Sequence, residues 1–120
     1  MADNAIHLTG NMTRDAELRF SNSGQAVANF GLAINNRRKN ANGEWEDGDP
    51  GFYDVTCFGT LAENVAESLS RGDRVTLNGR IDFQQWEKDG EKRSKVAVIA
   101  DAVGPDLRWA TAKVERRSPQ

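Results

Sequence analysis

The chain has 120 residues, 38% of them hydrophobic and 28% charged, which suits one small globular domain and excludes a wholly disordered chain. No apolar run approaches the roughly 20 residues that a membrane-spanning helix needs, and the first residues lack the pattern of a secretory signal. The net charge of −2 argues against nucleic-acid binding through overall charge alone, and the single cysteine excludes an internal disulfide and a cysteine-based metal cluster.

Two apolar strands are predicted before residue 36. The first covers residues 5 to 12, with Gly10 marking a bulge or bend, and residues 16 to 20 continue it. The second covers residues 25 to 35. In both strands apolar side chains recur at every second position, which is typical of a strand with one buried face. These positions are Ile6, Leu8, Met12, Leu18, Phe20, Ala28, Phe30, Leu32 and Ile34.

A polar hairpin arm is predicted over residues 36 to 50, around the Asn42-Gly43 pair, which is the strongest short-range hairpin signal. We interpret Trp45 as a residue that holds this hairpin together. The acidic group near its tip argues against contact of the tip with an anionic ligand. The basic residues of the arm are Arg37, Arg38 and Lys39, and the acidic ones are Glu44, Glu46, Asp47 and Asp49.

Residues 51 to 86 are predicted to form a strand, a short helix and a long strand. Thr60 with Glu63 three residues later has the spacing of a capping box at the start of a helix. An apolar stripe of Leu61, Val65 and Leu69 follows, and Gly72 is predicted as the left-handed stop. Because a helix of about ten residues is unstable alone in water, it must pack against the rest of the domain.

Both strands of this stretch are predicted to have one apolar face and one polar face that also carries large aromatic rings. The predicted core faces contain Tyr53, Val55 and Cys57 in the first strand and Val75, Leu77, Ile81 and Phe83 in the second. The opposite faces contain Phe52, Asp54, Thr56 and Phe58 in the first and Arg74, Thr76, Asn78, Arg80, Gln84 and Trp86 in the second.

The last part of the chain is predicted to contain a hairpin turn at Asp89-Gly90 and a final strand from Ser94 to Ala102. These elements give an all-β fold, a five-stranded Greek-key barrel of the oligonucleotide-binding (OB-fold) type with one short helix between the third and fourth strands. We expect the domain to cover residues 1–104. Residues 105–114 are then expected to form a C-terminal interface strand, and residues 115–120 a loose terminus.

Aromatic rings interleaved with cations are typical of surfaces that stack bases and hold phosphates. The predicted base-stacking rings are Phe52, Phe58 and Trp86, and the predicted phosphate contacts are Arg37, Arg38, Lys39, Arg74, Arg80, Lys92 and Arg93. From periodicity alone, ordinary burial of these rings explains the pattern equally well. We interpret His7 as a strand-pairing or interface residue and Cys57 as a small core residue.

Two other classes of function are open to such a chain. An enzyme finds no support, because there is no phosphate-binding glycine loop, no metal-ligand spacing and no nucleophile with a recognisable base; no cofactor or metal is expected. A barrel of this type can also bind proteins or oligosaccharides. Cations among the rings favour nucleic acid over sugar.

The chain resembles the bacterial single-stranded DNA-binding proteins, most closely their actinobacterial branch. The segments that carry the resemblance are GNMTRDAELRF, GQAVANFGLA, FYDVTCFGTLAENVAESLSRGDRVTLNGRI and GPDLRWATAKV. The resemblance implies an oligonucleotide-binding fold, a homotetramer and sequence-tolerant binding of single-stranded DNA in replication, repair or recombination. Because the chain has no membrane-spanning run and no secretory signal, we expect a cytoplasmic, nucleoid-associated protein with no membrane association.

The resemblance also implies individual roles. Phe52 stands where the family has a tryptophan, Phe58 matches a family phenylalanine and Trp86 a family tryptophan. A further family tryptophan falls near Arg38, whose guanidinium plane can still stack on a base. Trp109 lies in a segment that forms an extra strand clamping a neighbouring subunit in the actinobacterial branch.

Assembly and partners are expected as follows. The subunit contacts are predicted at His7, Thr9, Leu107, Trp109 and Val114. The family usually ends in an acidic tip that recruits other enzymes, whereas this chain ends in Arg117-Ser118-Pro119-Gln120. We therefore expect a tail-less paralogue or a shortened chain, with no partners that depend on the acidic tip.

Overall fold

The computed structural model describes residues 3–48 and 50–117. Asp49 of the predicted acidic group and residues 118–120 of the predicted terminus lie outside the described residues. The elements in chain order are β1 (Ala5–Met12), β2 (Glu17–Phe20), β3 (Ala26–Ile34), β4 (Arg37–Lys39), β5 (Trp45–Asp47), β6 (Gly51–Phe58), α1 (Thr60–Ser68), β7 (Arg74–Lys88) and β8 (Glu91–Pro105).

The main sheet returns on itself through its first strand. Its order is β1-β7-β8-β6-β3-β2, and β1 also pairs with β3 through Asn11 and Met12. The parallel β6–β8 pair joins strands from either side of the helix, while the other pairs are antiparallel. β4 and β5 form a separate two-stranded sheet, as the Asn42-Gly43 pair predicts. The five predicted strands correspond to β1 with its continuation β2, β3, β6, β7 and β8, and α1 follows the third of them as predicted. β2 follows β1 along the same edge of β3.

The core lies between the strands and under the helix. Its largest fully buried side chains come from four different strands, since each strand turns one apolar face inward. They are Phe30, Leu32, Leu77, Val55, Val75, Val98 and Cys57. Ala62 and Val65 of α1 are buried against this core. Burial raises the pKa of the Cys57 thiol to about 11, so the thiol is protonated at neutral pH, in keeping with a core residue.

The helix limits differ from those predicted by the capping signals. Gly59, with φ of 70°, is the N-cap, and Thr60 is already helical and makes no side-chain cap hydrogen bond. The Gly59 N–H donates to Ala26 O at 2.9 Å, which ties this turn to β3, and its positive φ is one that glycine adopts easily. The helix ends at Ser68, before Gly72, whose N–H instead donates to Met12 O. Among the described residues, no helix has the length and apolarity required to cross a membrane.

The bulge predicted at Gly10 lies elsewhere. The β1–β7 register runs without a shift from Ala5 to Asn11. A Cβ atom at Gly10 would overlap with the Ala33 carbonyl oxygen, so glycine is needed there for the close approach of β1 to β3. The register shift occurs between β7 and β8 at Asn78/Gly79, where Asp101 is the extra residue.

The predicted core face of the long strand is correct only for its first half. Val75 and Leu77 are buried, but Ile81 is 37% exposed and Phe83 60% exposed. β7 and β8 are both longer than predicted, and their paired ends, residues 82–96, project beyond the other strands as a hairpin that we call the long arm. The separate hairpin of residues 36–48 is called the short arm.

Candidate nucleic-acid interface

One outer surface of the sheet contains the three rings predicted to stack on bases. Asp54 of β6 pairs with Ala97 of β8, which pairs with Asp82 of β7, and residues in register point to the same side of a sheet. The same alternation extends along each strand. We call this surface the ring face; its side chains are Phe52, Asp54, Thr56 and Phe58 of β6, Arg93, Lys95, Ala97 and Ile99 of β8, and Arg80, Asp82, Gln84 and Trp86 of β7.

The rings on this face are accessible. Phe52 is 70% exposed, Phe58 40% and Trp86 43%, whereas Phe30 in the core is fully buried. Ordinary burial therefore does not account for these three rings. Phe52 and Phe58 lie at opposite ends of one strand, roughly 20 Å apart at the rise of a β-strand. Trp86 extends the surface onto the long arm, where it pairs in register with Arg93.

The ring face contains the predicted cations Arg80 and Arg93 and adds two that sequence reasoning missed. Lys95 lies on β8, and its ammonium is 3.6 Å from Asp54 Oδ2. Arg14, from the link between β1 and β2, reaches over β3, donates to Asn29 Oδ1 at 2.6 Å and lies 3.8 Å from Asp54 Oδ1. Because side chains alternate along a strand, the sequence could have assigned Lys95 to the same face of the last strand as Ala97. Periodicity gives no position for Arg14, which lies outside the strands.

The long arm offers an open hollow beside Trp86. Phe83, Gln84, Gln85, Trp86 and Lys95 line it. The predicted cation Lys92 lies opposite Glu87 in register, and Arg93 contacts Glu91 at 3.4 Å. The hollow thus combines apolar ring surface, amide groups and a cation on one arm.

The short arm pairs its charges internally. Arg37 lies 3.6 Å from Asp47, and Arg38 lies 3.8 Å from Glu46. The Lys39 ammonium sits over the Trp45 ring at 5.5 Å from its centroid. Trp45 therefore contacts its own hairpin, in agreement with its interpretation as a hairpin residue. The predicted phosphate contacts of this arm are exposed, but each has a partner on the opposite strand or ring.

The structure places Arg74 away from the other predicted cations. It begins β7, twelve residues before Trp86 and roughly 40 Å from it along the strand. Its Nε donates to Asp106 Oδ2 at 2.8 Å, and its guanidinium stacks on the Trp109 ring at 5.0 Å. The hydrogen bond from Arg74 lowers the pKa of Asp106, with a further contribution from the backbone N–H of Arg108.

The residues predicted at subunit contacts lie on two other exposed surfaces. On the β1–β7 wall, His7 Nδ1 is 2.7 Å from Asn78 Oδ1, and the Thr9 hydroxyl donates to the Thr76 hydroxyl at 3.1 Å. After β8, residues 106–117 contain no strand within the described part of the chain. Their apolar side chains are largely exposed: Leu107 60%, Trp109 70% and Val114 94%.

Arg117 anchors the end of this segment to the helix. Its guanidinium donates to Asn64 Oδ1 at 2.9 Å and to Glu67 Oε2 at 3.0 Å. The segment is therefore held at Asp106 by Arg74 and at Arg117 by α1, while the apolar side chains between these points face outward.

Comparison with known proteins places these surfaces in context. The model of the single-strand binding protein family matches residues 3–106. Single-stranded DNA-binding proteins of Mycolicibacterium smegmatis and Mycobacterium tuberculosis are each 48% identical to the chain over 118 residues, which span 97% of this chain and 72% of each relative. These matches confirm the resemblance found in the sequence.

Solved structures are similar over most of the chain. The small single-stranded DNA-binding protein from Streptomyces coelicolor has a TM-score of 0.75 at 29% identity, over 89% of this chain and 97% of that one. A deletion variant of the single-stranded DNA binding protein from Thermus aquaticus has a TM-score of 0.76 at 31% identity, over 88% of this chain and 51% of that one. The likeness confirms the predicted all-β Greek-key fold class.

Proposed function

The chain belongs to the single-strand binding protein family, and from this premise we propose that it binds single-stranded DNA with little sequence preference. The observation that carries the proposal is the ring face, where three exposed aromatic side chains lie on one surface with cations between them. Such a protein covers and protects single strands during replication, repair or recombination. The nucleoid of the cytoplasm is where such strands occur.

The chemistry of the ring face suits a flexible strand. Bases stack on Phe52, Phe58 and Trp86, because every base has a π-face and stacking needs no particular hydrogen-bond pattern. Arg80 and Arg93 lie on the same surface and contact phosphates, and the short arm supplies Arg37, Arg38 and Lys39 when it folds towards the strand. The surface works by binding alone, so the proposed role is that of a coating protein and not of an enzyme.

We further propose that the chain assembles as a homotetramer. Two observations support this: the exposed apolar segment around Trp109, and the ordered polar wall that His7 and Thr9 form with β7. A single copy leaves Leu107 and Val114 facing water, whereas a neighbouring subunit would bury them. Mass measurement by light scattering at micromolar concentration is expected to give a tetramer, and a monomer would contradict this part of the proposal.

The binding proposal is tested by titration with a thymidine homopolymer, a duplex DNA and an oligosaccharide, read by tryptophan fluorescence. We expect the homopolymer to quench the fluorescence and to bind more weakly as salt rises, because phosphate contacts release counterions. Binding of the oligosaccharide in preference to the homopolymer would overturn the proposal.

Tryptophan variants locate the contact within the same titration. Trp86→Phe keeps an aromatic ring but removes this fluorophore, so it is expected to bind DNA while losing most of the quenching. The matched control Trp109→Phe removes a tryptophan that lies in the C-terminal segment and should keep the quenching. Full quenching in Trp86→Phe would place the DNA away from the long arm.

A further inference from the structure

A carboxylate lies in the middle of the ring face. Asp54 is on β6 between Phe52 and Phe58, and two cations from different parts of the chain converge on it. Arg14 Nη2 lies 3.8 Å from one carboxylate oxygen, and Lys95 Nζ lies 3.6 Å from the other. A surface that receives phosphates would be expected to carry cations there, so the acid requires an explanation.

The packing around Asp54 leaves room for this convergence. Its neighbours in register are Gly31 on β3, which has no side chain, and Ala97 on β8, which has only a methyl group, so neither one crowds the carboxylate. A Cβ atom on Gly31 would overlap with the Thr13 hydroxyl, so glycine allows the link after β1 to lie across β3. That crossing brings Arg14 within reach of Asp54.

The cluster also borders a ring. Arg14 and Asp54 line a hollow of about 200 Å³ together with Phe52, Tyr53 and Val96. A base stacked on Phe52 would therefore bring its own phosphate close to the cations that Asp54 now holds. A carboxylate oxygen and a phosphate oxygen are both anionic acceptors for guanidinium and ammonium groups, and they compete for the same donors.

The ion pairs around Asp54 are of the kind that exchange easily. The three side chains are between 44% and 46% exposed, and neither ion pair is shorter than 3.6 Å. Exposed pairs of this length contribute little net stability, because each charge is also well solvated. Arg14 has a second anchor on Asn29, which keeps it over β3 when Asp54 releases it.

We propose that Asp54 is an internal substitute for a DNA phosphate, which holds Arg14 and Lys95 on the ring face and gives them up when single-stranded DNA binds. The inference rests on the proposed function. Asp54 thereby lowers the affinity for DNA and the salt dependence of binding, because the cluster presents one net positive charge in place of two. Its role is to moderate binding, so that the protein can leave or move along a strand.

The test compares Asp54→Asn with the parent chain in binding to a thymidine homopolymer at several salt concentrations. The amide keeps the size of the side chain and removes its charge. We expect tighter binding at low salt and a plot of log K against log salt steeper by about 0.7, the contribution of one further neutralised phosphate on a single strand. Across a fourfold rise in salt this corresponds to a further loss of about 2.5-fold in affinity.

Two matched variants separate the local effect from net charge. Asp101→Asn makes the same substitution at the extra residue of the β7–β8 bulge, four residues along β8 from Ala97, the neighbour of Asp54, and should leave the slope unchanged. Arg14→Gln should weaken binding more in the Asp54→Asn background than in the parent, because in the parent a contact of Arg14 with a phosphate first breaks its ion pair with Asp54. Thermal unfolding of each variant verifies that the fold is kept.

The results distinguish the inference about Asp54 from the proposed DNA-binding function on which it rests. If the parent binds the homopolymer and Asp54→Asn binds it equally well or more weakly, the inference is overturned and the proposed function stands. Asp54 would then position the cations or contact a base. An equal gain in Asp101→Asn also overturns it, because the effect would be one of net charge. Failure of the parent to bind the homopolymer overturns both.

Discussion

The long arm and the short arm look alike in sequence and differ in what they present to a ligand. Both are antiparallel hairpins with a tryptophan, several cations and several carboxylates. On the short arm Arg37 and Arg38 face Asp47 and Glu46 across the strand pair, and Lys39 covers the Trp45 ring. The arm therefore satisfies its own charges.

The long arm is organised differently because it grows out of the main sheet. Its strands continue β7 and β8, so their alternation carries the ring face outward from β6 to Trp86. Trp86 lies opposite Arg93, beside an open hollow that includes Lys95. The long arm also pairs charges of its own, Arg93 with Glu91 at 3.4 Å and Lys92 with Glu87 in register. The two arms therefore differ less in composition than in strand register, which decides which charges and rings lie on the ring face.

The largest expected effect concerns the root of the long arm. In Gly79→Ala the added Cβ would overlap with the Ile99 carbonyl oxygen at the β7–β8 bulge, so backbone must move. We expect a loss of about 1–3 kcal/mol in the free energy of unfolding, measured by urea denaturation at matched protein concentration. The control Gly43→Ala lies in the open short-arm turn at φ 80° and should cost only about 1 kcal/mol. Equal losses would show that the root is no more constrained than a turn.

The next effect separates the two tryptophans. Trp86→Ala is expected to weaken binding of a thymidine homopolymer by about 1–3 kcal/mol, or roughly 5- to 150-fold, with an unchanged salt slope because no charge is lost. Trp45→Ala should stay within about twofold of the parent, as for other exposed substitutions. A Trp45→Ala loss as large as that of Trp86→Ala would remove the distinction between the arms.

A smaller effect is expected from freeing the cations of the short arm. The double variant Glu46→Gln, Asp47→Asn removes the partners of Arg38 and Arg37. If this arm folds over bound DNA, the slope of log K against log salt should steepen by up to about 1.4, at about 0.7 for each phosphate that a freed arginine neutralises. An unchanged slope would remove Arg37 and Arg38 from the binding surface.

The smallest effect on binding is expected at a cation outside both arms. Arg74→Gln should leave the affinity for the homopolymer within about twofold of the parent, because Arg74 is engaged by Asp106 and Trp109.

The pKa of Asp106 should rise towards its ordinary value on losing this hydrogen bond. Because its pKa is lowered in the fold, the Asp106 carboxylate stabilises the fold at neutral pH, and this stabilisation is lost as the pH falls through that pKa. The variant lacks most of this stabilisation, so protonation of Asp106 should destabilise it less in acid. NMR titration of the Asp106 carboxyl measures the change in its pKa. A large loss of DNA binding in Arg74→Gln would instead indicate that Arg74 contacts DNA, as the sequence predicted.

The alternation of apolar and polar residues and the turn-forming residue pairs predicted much of the fold and most of the ring face. Alternation identified the inward phase of β1, β3 and β6, and the Asn42-Gly43 and Asp89-Gly90 pairs identified both hairpin turns. The same alternation placed Phe52 and Phe58 on the outer side of β6. These predictions hold because side-chain direction in a strand and φ in a tight turn depend on neighbouring residues alone.

Other features were decided by interactions between distant segments. Periodicity predicted Phe83 in the core, but it is exposed because the other strands end before it. Glycine at position 10 indicated a bulge or bend; the register has no bulge there, and glycine serves the close approach of β1 to Ala33. The sequence by itself thus determined the strands, the turns and the phase that sets Phe52 and Phe58 opposite the core side chains of β6, whereas their exposure is seen only in the structure. Only the tertiary structure decided that Arg14 and Lys95 meet at Asp54 and that Arg37 and Arg38 meet carboxylates, because the pairing of charges depends on register and on chain crossings that no local pattern encodes.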